Sequence, residues 1–410
     1  MSKILIKNIK GLVQAGEQIP SVRRGAEMKQ LEVLENAYLA LEDGEVIAYG
    51  PMNEWEGIID WRDLEIVDAD GCFVLPAFID SHTHTVFAKT REEEFVDRIH
   101  GLSYEEIAAR GGGILNSARK LSELSEDDLY SDAKKRIERI IQTGTGALEI
   151  KSGYGLSLEG ELKMLRVIKR LKEAMPIVIK ATFLGAHAFP AEYKENKRAY
   201  IDLIINQMLP AIHAEQLADY IDVFCERNYF SVAEMEEILK AGIAYGLKPK
   251  VHVNQFSILG GVEKAVELGA VSVDHLEEID EKDIQALKKS NVIPTLLPGC
   301  SHFLSIPFGN ARRMIEAGLP IALASDFNPG SSPNYDLMTI LSLACIKQKM
   351  TPEEGINALT INAAAALELS ESHGKIAIGR KSPIMLTNEI PSLAYLAYAF
   401  GEQHVQRIFI

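Results

Sequence analysis

The chain has 410 residues, of which 47% are hydrophobic and 25% are charged, as in an ordinary soluble globular protein. Its formal charge of −15, with no cluster of basic residues, argues against a surface for nucleic acid or anionic membranes. The four cysteines are widely spaced without a CxxC motif, and no apolar run reaches the roughly 18 residues of a membrane span. We therefore expect a cytoplasmic protein without disulfides that binds neither nucleic acid nor membrane.

Short strands and turns dominate the N-terminal segment, residues 1–75. Asp43–Gly44 and Asp70–Gly71 are turn dipeptides beside alternating or β-branched segments. Two C-terminal segments, GKIAIGRKSPIML and HVQRIFI, show the same short-strand pattern. We predict a small β-sandwich built from both termini, residues 1–75 and 366–410, beside a central domain of residues 76–365.

Apolar strand candidates alternate with helical patterns through the central part of the chain. The first candidate is CFVLPAF, which leads into FIDSHTH at residues 78–84. The other seven candidates are residues 147–155, 177–187, 220–226, 248–255, 270–277, 291–299 and 320–330. Eight strands separated by helices over about 250 residues are what a (β/α)8 barrel requires. The predicted fold class is α/β, a TIM-like (β/α)8 barrel with a small β-sandwich domain.

Histidines concentrate at the C-terminal ends of the predicted barrel strands. Residues that share this position are His82, His84, His187, His252, His275 and, after the eighth strand, Asp326. His82 and His84 are two residues apart, so they point to the same side of an extended chain, with Asp80 nearby as a candidate partner behind them. A single histidine is more often a structural or turn residue, but barrel active sites lie at this face. The set as a whole therefore predicts a metal site.

The predicted chemistry follows from a donor set of three imidazoles and one carboxylate: His82, His84, His252 and Asp326. Such a set would bind one divalent metal ion and leave room for a water, whose pKa the ion would lower toward neutrality. Asp326 could accept the proton, and His275 could carry a proton or stabilise the developing oxyanion. A second metal is not expected, because strand four ends in VFCE without a lysine for a bridging carbamate. The only comparable lysine is Lys151, on strand two.

These motifs resemble the amidohydrolase superfamily, whose members hydrolyse C–N and related bonds in a metal-centred barrel with an accessory β-sandwich. More narrowly, five segments are similar to the imidazolonepropionase family: EIKSGYG (149–155), FLGAHAFPAEY (183–193), HVNQFSILGG (252–261), DHLEE (274–278) and ASDFNPGS (324–331). That family opens 4-imidazolone-5-propanoate to N-formimidoyl-L-glutamate in histidine degradation. The resemblance implies this reaction and one divalent or trivalent metal ion, zinc or iron. We also expect a homodimer.

The resemblance also implies roles for individual residues. It implies metal ligation by His82, His84, His252 and Asp326, and substrate contacts by Arg91, Tyr154, His187, Gln255, Asn328, Gly330 and Ser331. Asp326, His275 and Gln255 would be catalytic. Gln255 stands where some relatives carry glutamate, so we expect hydrogen bonding from it and not proton transfer. Arg91 would pair with the propionate of the substrate.

Several of these residues have structural alternatives. An arginine followed by three glutamates, as Arg91 is, is otherwise typical of a solvated helix start. Tyr154 could be a packed loop aromatic, and Asn328–Pro329–Gly330 a simple turn. The glycines of residues 111–114 could form either a flexible connection or a lid.

Two other functions compete with the leading hypothesis. One is a different cyclic amidohydrolase or a heterocycle deaminase on the same scaffold. Arg91 and Tyr154 argue against it, because a purine or pyrimidine base has no propionate for them to hold. The other is a non-catalytic barrel used as a binding module, which would have no need to retain a full set of metal ligands.

Overall fold

The computed structural model describes residues 2–55, 57, 62–102, 106–107, 110 and 112–410. The described strands are β1 (Lys3–Val13), β2 (Val33–Glu42), β3 (Glu45–Pro51), β4 (Leu64–Asp68), β5 (Cys72–Pro76), β6 (Phe78–Asp80), β7 (Thr145–Lys151), β8 (Val178–Ala186), β9 (Tyr220–Cys225), β10 (Lys248–Val253), β11 (Ser272–His275), β12 (Ile293–Leu296), β13 (Ala322–Leu323), β14 (Ile384–Glu389) and β15 (Val405–Phe409). They form two sheets, one of eight strands and one of seven.

The α-helices lie mainly between the strands of the eight-stranded sheet. Within the described residues they are Glu92–Ile99, Gly113–Glu123, Glu126–Gln142, Leu158–Ala174, Lys197–Leu203, Leu209–Glu215, Val232–Ala244, Gly261–Glu267, Glu281–Lys288, Pro298–Leu304, Ala311–Glu316, Leu337–Gln348, Pro352–Leu359, Ile361–Ala366 and Tyr395–Tyr398. Ser125, Ser157 and Ser231 start three of the longer helices, because each hydroxyl accepts a hydrogen bond from a backbone N–H of the first turn. None of these described helices is long and apolar enough to cross a membrane.

Strands β6 to β13 form a parallel sheet in chain order. Their inward and outward faces are both covered, and most of their residues are buried. The predicted (β/α)8 barrel is therefore confirmed. Seven of the eight predicted strand segments overlap a strand of the barrel, and the eighth, CFVLPAF, reaches the barrel only at Phe78, the first residue of β6.

The barrel closes between the segments that follow β6 and β13. Thr83 and Phe327 form a parallel bridge there. The N–H of His84 donates to the carbonyl of Phe327 at 2.8 Å, and the N–H of Asp326 donates to the carbonyl of His82 at 3.0 Å. The seam of the barrel therefore runs through the predicted metal ligands.

The second sheet combines both ends of the chain, as predicted. Its order is β15-β14-β5-β1-β2-β3, and β4 pairs with β1. Asp43–Gly44 forms the predicted tight turn between β2 and β3, with φ of +49° and +77°. Asp70–Gly71 also turns the chain, but β4 and β5 both run parallel to β1 and form no hairpin.

The apolar segment CFVLPAF is divided between the two sheets. Its first five residues form β5, which pairs with β1 and β14 of the terminal sheet. The chain then turns at Ala77, whose N–H donates to the carbonyl of Pro383 at 2.8 Å, and β6 enters the barrel. The prediction of one buried strand feeding FIDSHTH is therefore wrong in detail, because periodicity does not show which sheet an apolar residue joins.

The glycine segment at residues 111–114 falls partly outside the described residues, since Gly111 is not described. Gly112 has extended backbone and precedes the helix Gly113–Glu123. Gly113 has a φ of +78°, a conformation that glycine adopts without strain. The described glycines therefore form the start of a helix.

Candidate metal centre and substrate cavity

The four predicted metal ligands converge at the C-terminal end of the barrel. One ligand nitrogen from each of His82, His84 and His252 lies within 4.8 Å of the other two. Oδ1 of Asp326 lies 3.5 Å from Nε2 of His82 and 3.6 Å from Nε2 of His84. All four side chains are buried. The three imidazoles therefore form a compact group of donors, and the carboxylate of Asp326 lies beside two of them.

Two buried aspartates orient the imidazoles from behind. Nδ1 of His82 lies 2.7 Å from Asp274, and Nδ1 of His252 lies 2.8 Å from Asp222. An ionised carboxylate only accepts hydrogen bonds, so each Nδ1 carries the proton and each Nε2 keeps its lone pair. Nε2 of His82 is buried, and no described residue hydrogen-bonds to it. Burial also lowers the pKa of all three imidazoles, which favours the neutral form that binds a metal. The donors therefore fit a zinc or iron ion.

Lys151 connects the two orienting aspartates. Its Nζ lies 2.9 Å from Asp222, 3.8 Å from Asp274 and 2.8 Å from Glu149, and all four side chains are inaccessible to solvent. Burial alone would lower the pKa of Lys151, but Asp222 and the other two carboxylates outweigh it and raise the pKa. A carbamate forms on a neutral amine, so this ammonium is unsuited to bridge a second metal. Lys151 instead holds the two aspartates that orient the candidate metal ligands His82 and His252.

Asp80 occupies a different place from the one expected. Its carboxylate accepts hydrogen bonds from the N–H of Ser325 at 3.0 Å and from the Ser325 hydroxyl at 2.5 Å. Burial raises the pKa of Asp80 to about 7. Because Ser325 directly precedes Asp326, Asp80 fixes the backbone that presents the carboxylate ligand. The partners of His82 and His252 are Asp274 and Asp222.

His275 lies beside the metal ligands in a strained backbone conformation. Its φ is +90°, and its ring centre lies 5.2 Å from that of His252. Its Nδ1 is 3.3 Å from Oε2 of Glu277. Burial alone would lower the pKa of His275, but Glu277 and Asp326 outweigh it, so the pKa is raised. For the carboxyl of Asp326 burial acts in the opposite direction and raises the pKa to about 6. An imidazole and a carboxylate, each able to carry a proton, therefore flank the centre.

A cavity opens directly above this centre. All seven predicted substrate contacts line it: Arg91, Tyr154, His187, Gln255, Asn328, Gly330 and Ser331. His84, His252, His275 and Asp326 also reach the cavity wall. Five further residues complete the lining, and the sequence analysis did not predict them: Ile114, Phe224, Tyr229, Phe256 and Leu304. The cavity wall therefore combines polar groups with apolar and aromatic side chains.

The profile of the Amidohydrolase family matches residues 73–407. An imidazolonepropionase of Flavobacterium johnsoniae is 55% identical over 406 residues, which cover 99% of this chain and 98% of that protein. An imidazolonepropionase of Christiangramia forsetii is 52% identical over 407 residues, again covering 99% and 98%. The chain belongs to the amidohydrolase family, in its imidazolonepropionase branch. The resemblance to this family is therefore confirmed.

Solved structures place this amidohydrolase in a wider fold group. Guanine deaminase of E. coli aligns with 100% of this chain and 98% of that chain, with a TM-score of 0.74 and 12% identity. An adenosine deaminase of Xanthomonas campestris with bound zinc covers 100% and 92%, with a TM-score of 0.69 and 14% identity. At these identities the likeness shows the fold alone.

His187 enters the cavity of this amidohydrolase as a neutral imidazole. Its Nδ1 lies 2.9 Å from the carbonyl of Gly153, so Nδ1 donates and Nε2 keeps a lone pair. Burial lowers the pKa of His187 to about 4. Its ring stacks on that of His84 with centres 5.2 Å apart. His187 can therefore accept a hydrogen bond from a ring N–H of a ligand.

Asn328 uses its side chain within its own loop. Its Oδ1 accepts hydrogen bonds from the N–H groups of Gly330 at 2.8 Å and Ser331 at 2.7 Å, and its Nδ2 donates to the carbonyl of Asp326 at 2.7 Å. These bonds are those of a side-chain-stabilised turn. The turn alternative therefore describes the local geometry of Asn328, although the residue also lines the cavity.

Arg91 and Glu94 form a buried ion pair at the cavity wall. Nε and Nη2 of Arg91 donate to Oε2 of Glu94 at 2.8 and 2.5 Å. Both residues are buried, whereas Glu92 and Glu93 are exposed. The alternative of a solvated helix start is therefore correct for Glu92 and Glu93 but not for Arg91, whose side chain turns inward to the cavity.

The residues behind the candidate ligands and behind Arg91 were not predicted from the sequence. Those with direct roles in the geometry are Glu94, Glu149, Asp222, Asp274 and Glu277. A signal for several of them was present, since single charged residues interrupt apolar strands in YIDVFC, VSVDH and ALEIK. A charged side chain in a buried strand requires a partner of opposite charge or a hydrogen bond. These positions therefore indicate a buried network of ion pairs and hydrogen bonds.

Proposed function

We propose that this amidohydrolase hydrolyses the C–N bond of 4-imidazolone-5-propanoate to give N-formimidoyl-L-glutamate, a step of histidine degradation. Its relatives of this name at 52 to 55% identity over nearly the whole chain support this activity. The observation that carries the proposal is the buried guanidinium of Arg91 in the cavity that also contains the three-imidazole donor set. Such a cavity suits a small ring that bears a carboxylate.

The substrate would lie with its propionate toward Arg91 and its ring toward the metal centre. Ser331 adds a hydroxyl donor beside Arg91 in the cavity wall. His187 would accept a hydrogen bond from a ring N–H, and the amide of Gln255 would bond to the ring as donor or acceptor. Tyr154 is 2% exposed, and its ring centre lies 5.4 Å from that of His187, so it would pack against the substrate ring.

His82, His84, His252 and Asp326 would hold one zinc or iron ion. The bound ion would supply Lewis acidity that polarises the ring carbonyl and acidifies the attacking water. Asp274 and Asp222 would keep Nε2 of His82 and His252 turned toward that position. Lys151 would hold both aspartates in place through its ion pairs at 2.9 and 3.8 Å.

Asp326 would take the proton of the attacking water. Burial raises the pKa of this carboxyl above that of an exposed aspartate, which makes its carboxylate the stronger base. His275 would stabilise the negative charge that develops on the carbonyl oxygen. Asp326 would then pass the proton to the ring nitrogen as the C–N bond breaks. Gln255 has no titratable proton, so it would orient the substrate only.

A direct assay tests this proposal against the alternatives. The metal-loaded protein is given freshly generated imidazolone propanoate, and the ultraviolet absorbance of the ring is followed. Guanine, adenosine and a simple cyclic amide serve as comparison substrates for a deaminase or another amidohydrolase. Turnover of a comparison substrate without turnover of imidazolone propanoate would reject the proposal, and no turnover of any would favour a binding module. A homodimer and a cytoplasmic location stay predictions.

A further inference from the structure

One carboxylate, that of Glu94, joins the wall of the cavity to the helix that borders it. Its Oε2 accepts hydrogen bonds from Nε and Nη2 of Arg91 at 2.8 and 2.5 Å. Its Oε1 accepts from the N–H of Gly113 at 3.1 Å and from Nδ2 of Asn116 at 3.3 Å. Glu94 is only 6% exposed, so these bonds form away from bulk water. Both oxygens of the carboxylate therefore have defined partners.

The position of Arg91 depends on contacts at two sides. Arg91 precedes the first turn of the helix Glu92–Ile99, so Glu94 lies three residues on and on the same face. At the other side Gly330 approaches so closely that an added Cβ would lie 2.1 Å from Nη1 of Arg91. A long arginine side chain otherwise samples many rotamers, and ordering them costs free energy. Glu94 and Gly330 together restrict the guanidinium to one place.

The second oxygen of Glu94 links this place to the apolar side of the cavity. Gly113 and Asn116 belong to the helix Gly113–Glu123. The second residue of this helix, Ile114, lines the cavity. A carboxylate at the N-terminal turn of a helix satisfies a backbone N–H that has no partner within the helix. Glu94 therefore sets the distance between the charged wall at Arg91 and the apolar wall at Ile114.

We propose that Glu94 is a positioning residue that determines specificity for substrates carrying a carboxylate, because it holds the guanidinium of Arg91 at a fixed position relative to the helix that carries Ile114. This inference rests on the proposed function. Glu94 itself does not touch the substrate. Its loss leaves the metal centre intact and lets the guanidinium adopt other rotamers, so the carboxylate of the substrate loses a pre-ordered partner.

The test uses the full-length, metal-loaded protein with Glu94→Gln, and Glu93→Gln as the matched control on the exposed side of the same helix. Each variant is assayed with imidazolone propanoate and with its neutral propanamide analogue. Loss of a charge-assisted hydrogen bond should raise KM for the carboxylate substrate about tenfold or more, with kcat changed less than about threefold. The preference for acid over amide should fall by the same factor, and Glu93→Gln should match the parent protein.

A double variant separates positioning from a general structural effect. If Glu94 acts through Arg91, the variant with Arg91→Ala and Glu94→Gln should bind substrate no worse than Arg91→Ala alone. Additive effects of the two substitutions would overturn the inference, as would a Glu94→Gln variant with unchanged KM and selectivity.

A milder variant covers the case in which Glu94→Gln does not fold. Asn116→Ala removes one contact on the far side of Glu94 and should raise KM about threefold with kcat unchanged. An Asn116→Ala protein that keeps the parent KM would count against the inference. Failure of the parent protein itself to hydrolyse imidazolone propanoate would instead reject the proposed function, so the two failures are distinguishable.

Discussion

The backbone N–H of Asp326 donates to the carbonyl oxygen of His82 at 3.0 Å, and this bond closes the barrel between its last and first strands. The same pair brings Oδ1 of Asp326 to 3.5 Å from Nε2 of His82. The approach of the two side chains therefore follows from the closure of the barrel. Closure of the barrel thus preorganises His82 and Asp326 in the way that a set of metal ligands requires.

Substitution of His252 should remove most of the bound metal. His252→Ala deletes one of three imidazole donors, whereas Asp222→Asn leaves the donor and weakens the hydrogen bond that orients it. We expect Asp222→Asn to lower metal affinity about 10- to 100-fold. Elemental analysis after dialysis against a weak chelator measures both. Arg91→Ala is the control, and it should keep the metal while KM rises steeply; full metal retention by His252→Ala would contradict the proposed ligand set.

Substitution of Lys151 should destabilise the barrel. Lys151→Met leaves three buried carboxylates without their central cation. Breaking a buried ion pair from one side typically costs about 3 to 5 kcal/mol of the free energy of unfolding. Urea unfolding monitored by circular dichroism measures this loss, and Glu149→Gln in the same protein should recover part of it. The half-exposed Lys172 pairs with Asp219, so Lys172→Met should cost less than about 1 kcal/mol. Equal losses for the two lysines would argue against the network.

Gly330→Ala should impair substrate binding without affecting the metal. The new Cβ would lie 2.1 Å from Nη1 of Arg91, so the guanidinium must move. We expect KM to rise about tenfold or more, because a displaced arginine loses its charge-assisted bond to the substrate carboxylate. Steady-state kinetics and metal analysis measure the two effects. Gly16→Ala is the control, since its Cβ would meet only ordinary contacts at 3.5 Å; unchanged KM in Gly330→Ala would place Arg91 away from the substrate.

His373 should make the protein sensitive to acid. Burial lowers the pKa of His373 to about 4, below the value of about 6.5 expected in the unfolded chain. The folded state favours the neutral ring, so its stabilising contribution is fully present above pH 6.5 and is lost as the pH falls through about 4. Urea midpoints between pH 7 and pH 4 should therefore decline less in His373→Gln than in the parent. An identical slope in the parent and in His373→Gln would refute the assignment.

Several features of the site could be predicted because they depend on local sequence. Strand ends are marked by the change from apolar to polar residues, and barrel enzymes place their chemistry there. His82, His84, His252, His275 and Asp326 were all found in this way, and the structure brings them together. The Asp43–Gly44 turn was predictable for a related reason, since two adjacent residues of that type favour positive φ.

Other features could not be predicted because they depend on pairs distant in the chain. Asp80, near His82 in sequence, pairs with Ser325, whereas the partner of His82 is Asp274, 192 residues away. In sequence Glu94 is indistinguishable from the exposed Glu92 and Glu93, and only its buried contact with Gly113 sets it apart. Charge and periodicity describe one position at a time, and they carry no information about strand register or loop packing.

The sequence by itself therefore determined the order of the β/α units, the chemical types of the candidate metal donors and the strand end on which each lies. Only the tertiary structure decided which carboxylate orients each imidazole, where Lys151 sits among them, and how Glu94 and Gly330 fix Arg91. The physical reason is that donor chemistry is a property of single side chains. Orientation in a buried site comes from hydrogen bonds across the barrel, and these exist only once the strands have closed into a ring.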